Sequence, residues 1–513
     1  MKAIRSLLVF VLLLMAGGSN AQYTDRYWVF GDSAGINFNN LTNPIPGESI
    51  LRTRGDCASI CDSAGQLILY CGSPQVPPFP SGAGGTMYGY VVNRFHQVID
   101  NGTRLFGLSF YQEMVIIPNP GNSNQFYVFC AGVLPLETGL VYSVVDLSLN
   151  GGLGKVIQKN VVITTDTLCD GITAVKHGNG RDWWIVSKNW SYSPTYRNDI
   201  QVTLVTANGI TPLPKQNIGS LNTNASFTRL KFNEAGNHLY CVHAEGIIDR
   251  FDFDRCTGLL SNFHNFTPAN ASYNNFWGFE VSPDESKIYT TSIYKTANQD
   301  SSFLFQFDLN ASNVLGSVDT LGVFAIPDLA GSLQKGPDNK IYLSVTWQWP
   351  DTCYDYLYCY QTVGNTNSNL SVINSPDSSG TSCDFQPFSF YLGGHKAYTG
   401  LPNNPNYGLG AWVGSPCDTL TVGIGEVLGY KNSFSVFYDP RIKTAFVNAK
   451  GLRGKNANMQ IFNSAGQLVF THTSPTDGEY FTLDVDMSPY MDAVYVVRLE
   501  TEREMVSGKF VKR

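Results

Sequence analysis

The strongest constraint on the fold is a hairpin signature that recurs along most of the chain. Its clearest copy is FEVSPDESKIYTT at 279–291, with apolar residues two apart, a Ser-Pro-Asp turn and a β-branched return strand. Five looser copies surround it, and each has an aromatic residue on its return strand. These six aromatics are Tyr70, Tyr127, Trp184, Tyr240, Tyr289 and Tyr342. The steps between them are about 57, 57, 56, 49 and 53 residues, a period typical of propeller blades.

A second repeated element follows the better copies. An Asp is followed seven residues later by a Leu in three places, at Asp146, Asp252 and Asp308. Two hairpins per period give four strands per period, which is a β-propeller blade. We therefore predict an all-β ring of about seven blades, with six or eight as the open alternatives. Closure is expected through the first strand completing the last blade, since closure removes exposed sheet edges.

The beginning of the chain predicts export. Residues 1–21 have a positive start, a short apolar run and a small-residue cleavage site between Ala21 and Gln22. The apolar run is shorter than the ~20 residues that span a bilayer, and no later segment qualifies as a transmembrane helix. The net charge of −7 and the absence of a basic stripe exclude a nucleic-acid partner.

The eleven cysteines are compatible with an oxidising compartment. Two local pairings are candidates, Cys241 with Cys256 and Cys353 with Cys359. Buried free thiols within strands are the alternative. The cysteine and histidine spacings match no zinc motif, so we expect neither a metal site nor a cofactor.

The last part of the chain has a different pattern. The Gly-, Pro- and Asn-rich stretch 400–410 marks the end of the ring, so 22–412 is assigned to the propeller and 413–432 to a linker. About seven short strands within 433–513 predict a small Ig-like β-sandwich. A sandwich on a flexible tether is expected to make few contacts with the ring.

Two resemblances add to this interpretation. WVFG at 28–31, YSVVDLSLNGGLG at 142–154, AVKHGNGRDWW at 174–184 and GLPN at 400–403 resemble a family of secreted propeller proteins of Bacteroidetes. This resemblance covers roughly 23–412. It implies the fold and the source, and it implies little about activity.

The C-terminal residues resemble the type A sorting domain of the type IX secretion system. The matching stretches are MQIFNSAGQLV at 459–469, VYVVRL at 494–499 and KFVK at 509–512. The usual Tyr-Pro-Asn-Pro opening is reduced to Tyr-Asp-Pro at 438–440, and Ala493 replaces a glycine. The resemblance implies export through the outer membrane, with the secretion machinery as partner. The sorting-signal residues are Gly466, Tyr495, Lys509, Phe510, Val511 and Lys512.

One stretch imitates a catalytic motif. Gly31-Asp-Ser-Ala-Gly35 matches the G-x-S-x-G nucleophile elbow around Ser33. That elbow needs a strand followed at once by a helix, whereas Ile36 and the following residues continue as strand and loop. The same Ser-Ala-Gly trio recurs in plain turns at 62–65 and 463–466. We therefore interpret it as turn chemistry and name no catalytic residue.

The remaining candidates are aromatic. Trp347, Trp349, Tyr354 and Tyr356 lie in an aromatic-rich stretch that suits recognition of a sugar or a peptide, with blade packing as the competing interpretation. Trp183, Trp184 and Trp190 are interpreted as packing residues. The repeated Asp146, Asp252 and Asp308 are interpreted as structural acceptors of turn amides.

The sequence therefore favours a secreted or cell-surface propeller that acts as a non-catalytic binding or adhesion module. A glycan or a protein is its expected ligand. The alternative is a secreted carbohydrate-active hydrolase or lyase with its site at the propeller channel. Acidic or histidine side chains converging in a channel pocket would favour that enzyme.

Overall fold

The computed structural model describes residues 24–73, 88–107, 111–132, 139–190, 197–222, 227–267, 276–293, 301–325, 328–347, 366–418, 433–476 and 480–512. In these ranges strand dominates, which confirms the all-β prediction. The helical elements of this part are short 3-10 turns at Asn150–Gly152, Leu315–Ser317, Thr366–Ser368 and Gly380–Cys383. None of these described helices is long and apolar enough to cross a membrane.

The described residues form seven successive antiparallel sheets before residue 392. The first two contain Tyr27–Phe30 (β1), Asp32–Asn37 (β2), Ile45–Arg52 (β3), then Cys57–Cys61 (β4), Leu67–Gly72 (β5) and Tyr90–Asn93 (β6). The next two contain Met114–Pro118 (β7), Gln125–Gly132 (β8), Gly139–Asp146 (β9), Lys155–Thr164 (β10), then Leu168–Lys176 (β11), Trp183–Asn189 (β12), Arg197–Thr206 (β13), Gly209–Pro212 (β14) and Gln216–Asn222 (β15).

The last three of these sheets are four-stranded, with strands in chain order. They contain Thr228–Phe232 (β16), His238–His243 (β17), Ile247–Phe253 (β18), Leu260–Thr267 (β19), then Phe276–Val281 (β20), Lys287–Ile293 (β21), Ser301–Asp308 (β22), Asp319–Ala325 (β23), then Asp328–Lys335 (β24), Ile341–Trp347 (β25), Asn369–Ile373 (β26) and Phe385–Tyr391 (β27).

The six predicted hairpins are confirmed as the first two strands of six successive sheets, beginning with β4–β5 and ending with β24–β25. In the clearest copy the Glu285 N–H donates to the Ser282 carbonyl at 2.9 Å, which closes the predicted turn. All six aromatics of the signature are buried. The period is therefore set by one core aromatic per sheet, because the return strand of each hairpin places it between neighbouring sheets.

The sheets follow one another around a centre. The first strand of each sheet contacts the first strand of the next, from β1 against β4 to β20 against β24. The first and seventh sheets also meet, with the rings of Trp28 and Phe38 centred 5.7 and 5.5 Å from the ring of Tyr342.

The predicted mode of closure is wrong. β1 pairs with β2 in a sheet of its own, and the seventh sheet already has four strands. Side-chain packing, and no strand pairing, joins these two sheets in the described residues. A shared apolar core containing Trp28, Phe30 and Tyr342 takes the place of the missing hydrogen-bonded closure.

The C-terminal residues form two sheets over one core. One contains Ser433–Asp439 (β28), Thr444–Lys450 (β29) and Tyr480–Asp486 (β32); the other contains Asn456–Phe462 (β30), Leu468–Pro475 (β31), Val494–Thr501 (β33) and Met505–Val511 (β34). Val447 of the first sheet and Ile461 of the second share the buried cluster. The two sheets thus form two layers over one apolar core.

The sandwich packs directly on the outer strand of the third sheet. The Asn448 carboxamide forms two hydrogen bonds with the backbone of Lys159, at 2.8 Å to its N–H and 2.7 Å to its carbonyl. The Lys159 ammonium lies 2.7 Å from the Asp484 carboxylate, and the Lys159 side chain is 1% exposed. Phe106 and Phe437 meet edge to face at 5.9 Å. The expectation of few contacts between the two parts is therefore wrong.

Candidate functional site

The residues that follow the seventh sheet lie at the centre of the ring. The Asn403 side chain donates to the carbonyls of Met114 and Ile172, both at 2.9 Å, and accepts from the Gln112 amide at 3.2 Å. Its backbone N–H donates to the Cys57 carbonyl. One asparagine thereby joins the second, third and fourth sheets. The Gly- and Pro-rich stretch that the sequence marked as the end of the ring is its central segment, 396–410.

This central segment fills the middle of the channel. The space that remains beside Tyr111, Arg229 and Asn403 is about 20 Å³, enough for one water molecule.

A cavity of about 550 Å³ opens on the face that carries the hairpin turns. Its wall comes from the first, fourth, fifth, sixth and seventh sheets, and the central segment forms the inner side. The polar lining residues include Asp25, Arg26, Lys231, Glu234, Glu280, Gln334 and Lys335. Its size lies within the ~300–1,000 Å³ of small-molecule sites, so we treat it as the candidate ligand site.

The charges of this cavity are paired. The Lys231 ammonium donates to Glu280 at 2.7 Å, to the Leu333 carbonyl at 2.8 Å and to Gln334 at 2.8 Å. The Lys335 ammonium lies 2.9 Å from the Glu234 carboxylate. Burial lowers the pKa of Lys231, and the Glu280 carboxylate opposes that effect.

One carboxyl of the cavity is perturbed in the other direction. Burial raises the pKa of Asp25, and the nearby Glu234 carboxylate raises it further, while Arg26 opposes both effects. Asp25 and Glu234 are thus carboxylates of one cavity in different electrostatic environments.

The opposite end of the channel holds a buried charged cluster. The Asp170 carboxylate accepts from the N–H groups of Tyr111 and Gln112, and lies 3.9 Å from the Arg229 guanidinium. Asp56 accepts from Ser73 at 3.0 Å, and burial raises its pKa to about 7. Asp170 and Arg229 lie on the first strands of the fourth and fifth sheets, and Asp56 comes directly before the first strand of the second, so no local sequence signal connects them.

A histidine, a cysteine and an aspartate also meet between the fourth and fifth sheets. Cys241 Sγ lies 3.4 Å from His243 Nε2, and the same nitrogen lies 3.6 Å from Asp249. A catalytic triad needs the base to use two different nitrogens. Burial moreover raises the pKa of the Cys241 thiol, which disfavours the reactive thiolate. We assign this group to the buried core.

The residues that were predicted to form turns differ in their local structure. Ser33 lies in β2 with a φ of 61°, and Gly35 continues the same strand, so the predicted turn with a left-handed glycine is wrong at this position; no helix follows Ser33. Asp146 and Asp308 accept the backbone N–H two residues ahead, at 2.9 and 3.0 Å. Asp252 differs, because its carboxylate accepts from the Asn262 side chain.

The candidate aromatic stretch lies largely outside the described residues. Trp349, Tyr354 and Tyr356 fall there, and Trp347 is described only as the end of β25. Trp183 and Trp184 are buried, as the packing interpretation expects. The cleavage site at Ala21 and Gln22 lies outside the described residues too.

The sorting-signal residues divide into core and surface. Phe510 stacks on Tyr438 and Tyr495, with ring centres 5.6 and 5.4 Å away. Lys509 and Val511 are exposed on β34, and Gly466 occupies a turn with φ of 76°. Lys512 is buried, and its ammonium lies 2.9 Å from Asp492. Lys509 is therefore the exposed basic residue of β34.

The predicted pairing of Cys241 with Cys256 is wrong. Cys256 forms a disulfide with Cys417, which ties the start of the predicted linker to the fifth sheet. Cys241 is a free thiol, and Cys353 and Cys359 lie outside the described residues. The alternative of buried free thiols is confirmed for Cys57, Cys61, Cys71, Cys130, Cys169, Cys241 and Cys383.

Comparisons with known proteins find only distant similarity. No family model matches the chain, and no curated protein matches it. Among solved structures, the chain is similar to a candidate 6-phosphogluconolactonase of Bacteroides uniformis at 14% identity and a TM-score of 0.38, covering 64% of this chain and 96% of that one.

Two further structures show the same distant similarity. A quinoprotein alcohol dehydrogenase-like protein of Bacteroides thetaiotaomicron is 11% identical, with a TM-score of 0.36 and coverage of 70% and 74%. The β-propeller domain of Swd1 from Myceliophteria thermophila is 11% identical, with a TM-score of 0.33 and coverage of 63% and 92%. The protein has a repeated, propeller-like all-β fold. Likeness at this level carries no activity from those proteins to this chain.

Proposed function

We propose that this protein is an exported, non-catalytic binding propeller of about seven blades, with its ligand site in the cavity at the hairpin-turn face. The observation that carries the proposal is the 550 Å³ cavity, whose wall comes from five sheets and whose inner side is the central segment. Side chains held on several packed strands are rigid, and a rigid pocket loses little entropy when a ligand binds.

The pairing of charges favours binding over catalysis. A general base must be free to take up a proton at the reacting atom. Glu280 and Glu234 are each held by a lysine ammonium at 2.7 and 2.9 Å. Such ion pairs fix the shape of the cavity and occupy the carboxylates that catalysis would need.

A cavity-filling variant tests the binding site. A Cβ added at Gly410 would meet nothing within 4 Å, and Gly410 lines the cavity. Gly410→Trp should therefore fill the space and abolish ligand binding, whereas Gly410→Ala should bind like the wild type. Both variants would be compared with residues 22–513 of the wild type in an array of glycans and peptides. Equal binding by Gly410→Trp to every ligand contradicts the proposed site.

Export is proposed to depend on the C-terminal sandwich, following its resemblance to a type A sorting domain. The exposed Lys509 on the edge strand β34 supports a role in receptor contact. Lys509→Glu in the full chain should leave the protein in the periplasm of a host with the secretion system. Lys455→Glu, an exposed lysine at the start of β30, is the matched control. Surface delivery of Lys509→Glu, or equal failure of both variants, contradicts the role.

A carbohydrate-active hydrolase or lyase is the second candidate. It is favoured by the placement of the Asp25 and Glu234 carboxyl groups in one cavity, because a pair of carboxyl groups can serve as acid and base. Turnover of a polysaccharide panel by the wild type, lost in Asp25→Asn, would support this enzyme. Turnover that survives Asp25→Asn would place catalysis elsewhere.

A further inference from the structure

The cavity at the hairpin-turn face has a wall without net charge. It contains three cationic side chains, Arg26, Lys231 and Lys335, and three carboxylates, Asp25, Glu234 and Glu280. Lys231 and Lys335 are already paired with Glu280 and Glu234, so a ligand with a formal charge would compete with these ion pairs. It would also have to displace a wall residue from its ion pair, which costs the desolvation of that residue.

Lys231 shows this most clearly. Its ammonium has three N–H donors, and all three are used by Glu280, by the Leu333 carbonyl and by Gln334. No donor is left for an anionic ligand. This lysine therefore supports the wall and cannot anchor a carboxylate, phosphate or sulfate.

The neutral polar groups of the wall suit hydroxyl groups. The Gln334 oxygen accepts from Lys231, and the structure gives its amide nitrogen no partner among the described residues. The Asn406 amide nitrogen donates to the Glu234 carbonyl at 3.1 Å, which leaves its side-chain oxygen as an acceptor. Hydroxyl groups of a ligand can accept from the Gln334 amide nitrogen and donate to the Asn406 oxygen, because a hydroxyl carries one donor and two lone pairs.

The cavity also has an apolar side. Phe232 and Leu409 line it and are half-buried. Aromatic and aliphatic surfaces of this kind pack against the C–H faces of sugar rings, while the polar groups meet the hydroxyls. We infer that the ligand of this cavity is a neutral saccharide, bound through its hydroxyl groups. This inference rests on the proposed binding function of the same site.

Isothermal titration of residues 22–513 tests the ligand class. The probes are neutral oligosaccharides of glucose, galactose, mannose and xylose, with uronic-acid and sulfated counterparts. A neutral member should bind, and its charged counterpart should bind at least ~10-fold more weakly. The neutral complex should also keep its affinity within about twofold between ~0.05 and ~0.5 M NaCl, because no ligand charge is screened.

Point variants test whether residues of the cavity wall bind the saccharide. Gln334→Ala should lower the affinity for the neutral saccharide about 5- to 10-fold, the usual effect of one lost hydrogen bond. Gln66→Ala is the matched control, because Gln66 is an exposed residue after a hairpin turn and does not line the cavity. Gly410→Trp should abolish binding. An unchanged affinity in Gln334→Ala would remove this residue from the site and overturn the inference.

The outcomes separate this inference from the proposed function. If acidic glycans or peptides bind more tightly than neutral saccharides, and this binding is lost in Gly410→Trp, the inference of a neutral saccharide is overturned. The proposed location of the site then still holds. Binding that Gly410→Trp does not change overturns the proposed site itself.

Discussion

The contact between ring and sandwich predicts that a substitution in one part destabilises the other. Asp484 lies in the sandwich, and its side chain is 15% exposed. Its carboxylate lies 2.7 Å from the buried Lys159 ammonium of the ring. Asp484→Ala leaves that ammonium with Asn101, whose side-chain oxygen accepts from it at 2.5 Å. An uncompensated charge would then remain buried in the outer strand of the third sheet.

The expected loss follows from the burial of the pair. Removing one partner of a buried ion pair costs ~3–5 kcal/mol. Asp484 retains some solvent, and burial already lowers the pKa of Lys159, so the lysine can shed part of its charge. We therefore expect a loss at the lower end, about 2–3 kcal/mol. With a urea dependence of ~3 kcal/mol per molar for a chain of this size, the unfolding midpoint falls by about 0.7–1 M.

Tryptophan fluorescence is the suitable assay because all eight tryptophans precede residue 413. The signal therefore reports on the ring, although Asp484 belongs to the sandwich. Asp486→Ala, an exposed carboxylate on the same strand, should shift the midpoint little. The double variant Lys159→Met with Asp484→Leu should recover much of the loss, since it removes both charges. An unchanged ring transition in Asp484→Ala would refute the docked arrangement.

Three other predictions concern the ring. Asn403→Ala should cost about 3 kcal/mol in thermal unfolding, because two strand carbonyls and an amide lose their partner, whereas the exposed Asn406→Ala should cost under ~1 kcal/mol. Cys256→Ser should cost about 2–5 kcal/mol, and reductant should lower the wild-type Tm to that of the variant; a wild-type Tm indifferent to reductant contradicts this. The pKa of Asp56 is raised to about 7 in the folded protein, from an ordinary value of 3.8, so the folded state binds the extra proton between these values. Stability should therefore fall as pH rises through that window, by up to ~1.4 kcal/mol per unit, and Asp56→Asn should flatten the profile of urea midpoints.

The sequence by itself determined the local elements. The hairpins were predictable because alternation, turn residues and return strand lie within about a dozen neighbouring residues, as at 279–291. The same holds for the strands of the sandwich and for the strand that continues after the Gly-x-Ser-x-Gly motif. Such features depend on local backbone conformation and on the burial of every second side chain, and a short stretch of sequence contains both signals.

Only the tertiary structure decided the central segment, the cavity and the docked sandwich. Asn403 meets Gln112 across 291 residues, Lys159 meets Asp484 across 325, and Cys256 pairs with Cys417 across 161. No periodicity connects such positions. Each of these contacts is set by how the sheets pack around a common axis, and an asparagine or lysine has the same local pattern whether it meets solvent or a partner hundreds of residues away.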